Sequence, residues 1–243
     1  MPLLDLRYGR TSSRLLRWGR EGLAIYHSLG SGYRPLLSWS QDGEDLAFRE
    51  LESCFGFFVD VGAHHPFRFS NTQRLVLAGW TGVNIDVSPD FLSLFNKARP
   101  LDTNVRALIG ENRTLDFYHY SESALSTGQE ERRRYLSARG QEPATVERLK
   151  ADRLADVLAE VTVQRVIDLL LVDAEDMDLE ILKTHDWESW PTVRVLVEIH
   201  GDSVSERLNG EISKFLMRRG FEAKLVLHRS VLFVQRALET TVN

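Results

Sequence analysis

The chain has 243 residues and a single cysteine, Cys54, which excludes an intrachain disulfide. Hydrophobic residues make up 43% and charged residues 27%, the balance of a globular domain with a sizeable core. The net charge of −5 argues against a general nucleic-acid binder, and no apolar run approaches the roughly 20 residues that span a bilayer.

The first segment is basic. Residues 1–37 carry six arginines against Asp5 and Glu21, with Leu15, Leu16, Trp18, Leu23 and Ile25 interleaved. Such an arm can touch an anionic membrane surface peripherally, or pack on the domain or on a second subunit as a homodimer contact. Gly9, Gly19, Gly22 and an irregular apolar stripe favour packing. The expected division is an arm over 1–38 and one domain over 39–243. The N-terminus lacks a long apolar stretch with a small-residue cleavage site, so a cytoplasmic location is expected.

In SWSQDGEDLAFRELE, Ser40 or Asp42 can cap a helix beginning near Gly43. Strand and helix then alternate. FGFFVDV (55–61) reads as a buried strand, 70–80 as a helix and 81–87 as a strand. A helix follows over 89–98 with Pro89 in its first turn, then strands over 104–110 and 114–120. The polar stretch 121–144 reads as a lid-like insert, a loop plus a short charged helix. Beyond it come a helix over 145–161, a strongly apolar strand over 166–174 and a helix over 176–185. A strand over 192–201, an amphipathic helix over 203–220 and a hairpin of 222–228 with 230–236 complete the chain. Continuous apolar strands imply a parallel sheet covered on both faces. The expected fold class is α/β: doubly wound, mostly parallel, closed by an antiparallel hairpin, with ligands outside the carboxyl ends of the strands.

Those ends carry acids: Asp60, Asp86, Asp173 with Glu175, and Glu198. Asp86 ends the strand after Asp60 and can bind a ribose diol. Asp60-Val61-Gly62 lets backbone approach a ligand closely. The turn GAHHPF lacks the further glycines of a dinucleotide site, and no Walker A loop is present. S-adenosylmethionine fits better: its diol suits Asp86, and its carboxylate suits the helix start at Ser70-Asn71-Thr72.

The segments SQDGED (40–45), VDVGAHHP (59–66), SNT (70–72), GWTGVNID (79–86), IDLLLVDAED (167–176) and VEIHG (197–201) together resemble the FkbM-type class I methyltransferases. The resemblance implies a seven-stranded sheet with an antiparallel last strand. It implies methyl transfer to a hydroxyl, commonly of a sugar or a polyketide-like product, and in some similar enzymes Mg²⁺ at the ends of the fourth and fifth strands. Carried over, Asp60, Gly62 and Asp86 would hold the cofactor, with His64 in the same turn. Gln41, Ser70, Asn71 and Thr72 would hold its methionine end. Two positions depart from the pattern: Asp86, often Glu, and Glu175-Asp176, often Glu-Gly.

A sugar hydroxyl is a weak acid and needs a general base, a metal, or both. His200 shares a strand face with Glu198 and is the first candidate base; Asp173 and His65 are further catalytic candidates. Asp173 and Glu198 are candidate ligands for Mg²⁺, or bind acceptor hydroxyls without metal. The acceptor is a small molecule or an oligosaccharide. The competing reading is a metal-dependent hydrolase using His64, His65 and the rim carboxylates. Adjacent histidines in an extended chain point apart, which weighs against a shared zinc.

Overall fold

The computed structural model describes residues 37–239. The chain divides into two units, 1–37 and 38–243, and the features below belong to the second. The basic arm and its expected membrane or subunit contacts lie outside the described residues.

The domain opens with a 3₁₀ helix, Glu44–Ser53. Seven strands form the main sheet: β1 (Phe57–Val61), β2 (Thr81–Asp86), β3 (Thr103–Arg106), β7 (Leu169–Val172), β8 (Arg194–Glu198), β9 (Phe221–Val226) and β10 (Ser230–Gln235). Their order is β3-β2-β1-β7-β8-β10-β9. The first five run parallel, and β10 pairs antiparallel with both β8 and β9. Strands are added outward from β1 on one side and from β7 on the other, and the crevice at that switch point is where such sheets bind ligands.

Alternating side chains of β1 explain why it is buried on both faces. Phe57, Val59 and Val61 join Val83, Ile85, Leu170 and Val172 in the larger core. That layer is covered by α4 (Leu154–Val161), α5 (Asp178–Thr184) and α7 (Glu211–Met217). Phe58 points the other way, with Leu75, Trp80, Leu169 and Leu171, onto Phe48 and Leu51 of the 3₁₀ helix. Trp80 donates its indole N–H to the carbonyls of Leu51 and Cys54, tying that helix to the sheet. Cys54 is a packed thiol that donates to the Leu51 carbonyl.

The structure corrects four elements. Residues 145–161 are not one helix: β6 (Thr145–Asp152) precedes α4, and β6 pairs residue for residue with β5 (Arg113–His119). Burial alternates along β6, and the ladder to β5 takes its backbone groups. The stretch 104–110 is divided between β3 and β4 (Leu108–Ile109), which lie in different sheets; β4-β6-β5 form a second, three-stranded sheet. The 70–80 helix shortens to α1 (Gln73–Leu77), because Ser70 and Thr72 are committed to side-chain bonds. The 203–220 helix is broken at Gly210 into α6 (Val204–Leu208) and α7. The remaining helices are α2 (Pro89–Ala98), α3 (Glu130–Ser137) and α8 (Arg236–Glu239). Among the described residues no helix is long and apolar enough to cross a membrane.

Candidate active site

The strand ends of β1, β2, β7 and β8 surround one cavity of about 460 Å³. Gly62 sets its geometry. Its φ of +82° suits glycine, and a Cβ there would stand 1.8 Å from the Asp173 carbonyl oxygen. The Gly62 and Ala63 amides donate to the Ile85 carbonyl at 3.0 and 3.1 Å. The turn thus draws three strand ends together and brings Asp60, Asp86 and Asp173 onto one wall.

Asp86 is held by backbone. Its Oδ1 accepts from the Ser88 amide and its Oδ2 from the His64 amide, both at 2.8 Å. Each oxygen keeps a lone pair for a further donor. Burial pushes its carboxyl above the usual range, with the two amide bonds acting the other way. His64 reaches this position with φ +55°. Its ring packs against Phe91 and Phe69, its Nε2 lies 3.0 Å from the Ser123 hydroxyl, and its Nδ1 is buried without a partner.

Arg99 organises the floor and carries no local sequence signal, since its partners lie 15 to 33 residues away. Buried, it donates through Nη2 to the Pro66 carbonyl at 2.7 Å and the Ser70 hydroxyl at 2.9 Å. Through Nη1 it donates to Thr72 Oγ1 at 2.8 Å, and Thr72 in turn donates to Asp60 Oδ2 at 3.0 Å. Ser70 and Thr72 therefore face inward, and of the three helix-start residues only Asn71 lines the cavity. Its Oδ1 is buried without a partner. Burial raises the Asp60 carboxyl to about 7, against the opposing pull of Arg99 and Thr72.

At the far end Asp173, Glu175 and Glu198 bring carboxylate oxygens within 4.8 Å of one another. Asp173 is open to the cavity while protein packs round it; burial and then the charge of Glu44 raise it to about 6. Burial and the neighbouring acids push Glu198 up to about 10 and Glu175 to about 7. Glu198 Oε2 is buried without a hydrogen-bond partner. His200 Nε2 lies 3.4 Å from it and 3.7 Å from Asp176 Oδ1, so His200 does share a side with Glu198. The ring is about half exposed and does not line the cavity.

His65 is occupied elsewhere. Its Nδ1 accepts the amides of Phe67 and Arg68 at 3.0 Å each, and it does not line the cavity. Neither histidine joins the acidic cluster, the group among the described residues suited to hold a cation, so the hydrolase reading finds no site. Gln41 lines the cavity, and beside it Asp42 pairs with Arg229 at 3.1 Å.

The polar stretch 121–144 touches this site directly. Thr127 donates to the Glu175 carbonyl at 2.8 Å, and Arg132 grips the Glu175 carboxylate at 2.7 Å. Glu175 and Asp176 both adopt left-handed backbone, φ +48° and +75°. Arg133 and Arg134 spend their charge on Glu130, but Arg132 does not.

A doubly wound seven-stranded sheet with an antiparallel closing strand, a glycine turn after β1 and an acid ending β2 define a class I methyltransferase that uses S-adenosylmethionine. The chain belongs to the methyltransferase FkbM domain family, which it matches over residues 60–223. Among solved structures it is similar to a TehB-like SAM-dependent methyltransferase from Corynebacterium glutamicum, at 12% identity and a TM-score of 0.42, with 92% of this chain and 100% of that chain covered. No curated protein matches the chain.

Proposed function

We propose that this methyltransferase acts on a hydroxyl of a sugar or of a glycosylated product. The observation that carries the reading is the acidic cluster at the ends of β7 and β8, in the same cavity as Asp60 and Asp86. Asp86 takes the ribose diol, the Gly62 turn lets the cofactor lie against backbone, and Asn71 with Gln41 receives its methionine end. The sulfonium then faces Asp173.

Transfer is an in-line displacement. The acceptor oxygen bonds to the methyl carbon, the carbon–sulfur pair returns to sulfur, and the hydroxyl proton leaves. Alignment supplies most of the acceleration, because the sulfonium is already activated. Asp173 is the carboxylate of the cluster most open to the cavity. Raised to about 6, it is ionised near neutrality yet more basic than an ordinary aspartate, which suits it to take the proton. His200 stands behind Glu198 and serves as a positioning group.

The cluster also fits a hard divalent ion such as Mg²⁺. Its donors are all oxygen, and the buried, unpartnered Glu198 Oε2 lacks a cationic neighbour in hydrogen-bonding geometry. Asp173, Glu175 and Glu198 would hold the ion, which when bound lowers the pKa of a coordinated hydroxyl.

The test is calorimetric. S-adenosylmethionine binds the wild type, and Asp86→Ala weakens it at least tenfold, a loss of ~1.4 kcal/mol or more. Labelled cofactor offered with a panel of glycosides then yields an O-methyl product. A wild type that binds no cofactor, or that methylates amines and thiols but no hydroxyl, overturns the reading.

A further inference from the structure

The side of the cavity beyond Asp86 is apolar. Val87, Ala107, Leu108 and Ile109 line it, with Phe117 below. A ribose whose diol sits on Asp86 places its base against this wall, next to Val87. An adenine needs two apolar faces and one polar edge, and His119 lines the same cavity with a ring nitrogen to offer.

A relay of contacts fixes the His119 ring. Arg106 Nε donates to the Val87 carbonyl at 2.8 Å. The same guanidinium holds Glu147 at 3.0 and 3.2 Å. Glu147 Oε2 lies 3.2 Å from His119 Nε2, and the Phe117 ring meets the imidazole edge-on at 5.0 Å. Three different strands, β3, β6 and β5, thus hold one imidazole in a chain of contacts that ends on the Val87 carbonyl.

The relay also sets the tautomer. The Arg106 bond holds the Glu147 carboxyl below its usual range, so it is ionised and only accepts. Nε2 then donates to it, and in an imidazole that carries one proton this leaves the lone pair on Nδ1. Nδ1 has no hydrogen-bond partner among the described residues.

We propose that His119 is a specificity residue for the cofactor base, accepting the exocyclic amine of adenine at Nδ1 and discriminating against a base with a carbonyl at that position. The inference rests on the placement of the ribose at Asp86. A carbonyl oxygen opposite Nδ1 sets lone pair against lone pair, so the discrimination is a lost bond plus a buried mismatch.

The experiment compares two ligands by calorimetry on the full chain: S-adenosylhomocysteine and S-inosylhomocysteine, which carries a carbonyl in place of the amine. The wild type prefers the adenine compound by roughly tenfold or more. In His119→Ala the two affinities fall within about threefold of each other, with the loss on the adenine side. His119→Phe keeps a ring against Phe117 without the acceptor and gives the same collapse, which separates lost recognition from lost packing. A wild-type preference below twofold overturns the inference without any variant. So does an unchanged preference in a folded His119→Ala, including one that has lost turnover, since that would make His119 part of the acceptor side. If the wild type binds neither compound, the cofactor reading itself falls.

Discussion

Gly62 can carry no side chain, because the atom in the way is backbone of the neighbouring strand. The Asp173 carbonyl, 1.8 Å from a built Cβ, cannot swing aside as a side chain could. Gly62→Ala is expected to cost ~1–2 kcal/mol for the left-handed conformation and ~1–3 kcal/mol for the clash. A denaturant midpoint close to wild type would refute this. Arg99 is the other residue on which the floor depends. Replacing it with methionine leaves Asp60 without its buried countercharge and the Pro66 carbonyl and Ser70 hydroxyl without their donor. The expected loss is ~1–3 kcal/mol, the range for leaving buried acceptors unsatisfied. Chemical denaturation of the variant measures it, and a loss under ~1 kcal/mol would mean that water replaces the guanidinium.

At the scale of elements, the second sheet and the insert do what the main sheet cannot. The parallel strands bring acids to one rim, but the other side of the cavity comes from β5 and from Ser121, Ser123, Ala124 and Ser126. Arg132 and Thr127 hold that side on Glu175, the residue strained into left-handed backbone. Arg132→Ala removes a partly buried charged hydrogen bond, a loss of ~1.5 kcal/mol. Limited proteolysis within 121–144 should then run roughly tenfold faster, because cleavage follows the population of the open form. Cofactor affinity should hold while the acceptor KM rises. Unchanged proteolysis would place the insert's stability elsewhere. The length and charge of this segment marked it as a lid, but only the folded chain singles out Arg132 from its neighbours. Charge patterning alone treats Arg132, Arg133 and Arg134 alike.

The whole molecule carries several acids whose folded pKa lies above its ordinary value: Asp60 at about 7, Glu175 at about 7 and Asp173 at about 6. The sign follows from proton counts. Between the unfolded value near 3.8 and about 7, the folded chain holds the Asp60 proton longer than the unfolded chain does. That contribution to stability is complete below the unfolded value and is lost as pH rises through the folded one. Melting temperature should therefore fall between about pH 4 and about pH 7, and Asp60→Asn should flatten part of the fall. Equal slopes for variant and wild type would show that Asp60 titrates normally. A divalent ion on the cluster, as proposed above, should raise the melting temperature more at the upper end of this range, where Asp173 and Glu175 have lost their protons.

What the sequence determined by itself was the sheet and its rim. Continuous apolar runs such as FGFFVDV and VIDLLLVDA fit only strands buried on both faces, and the acids that end them fall on one edge because parallel strands share a direction. The Asp60-Val61-Gly62 turn and Asp86 were legible for the same reason: their chemistry is local to one strand end. The helix expected over 145–161 failed because a helical stripe and a half-exposed strand are hard to tell apart until a partner strand claims the backbone. Tertiary structure alone decided the rest. It turned Ser70 and Thr72 toward Arg99, set His65 to cap its own loop, and gathered carboxylate oxygens of Asp173, Glu175 and Glu198 within 4.8 Å of one another. Each of these depends on contacts between residues far apart in the chain, and no spacing within a single element records them.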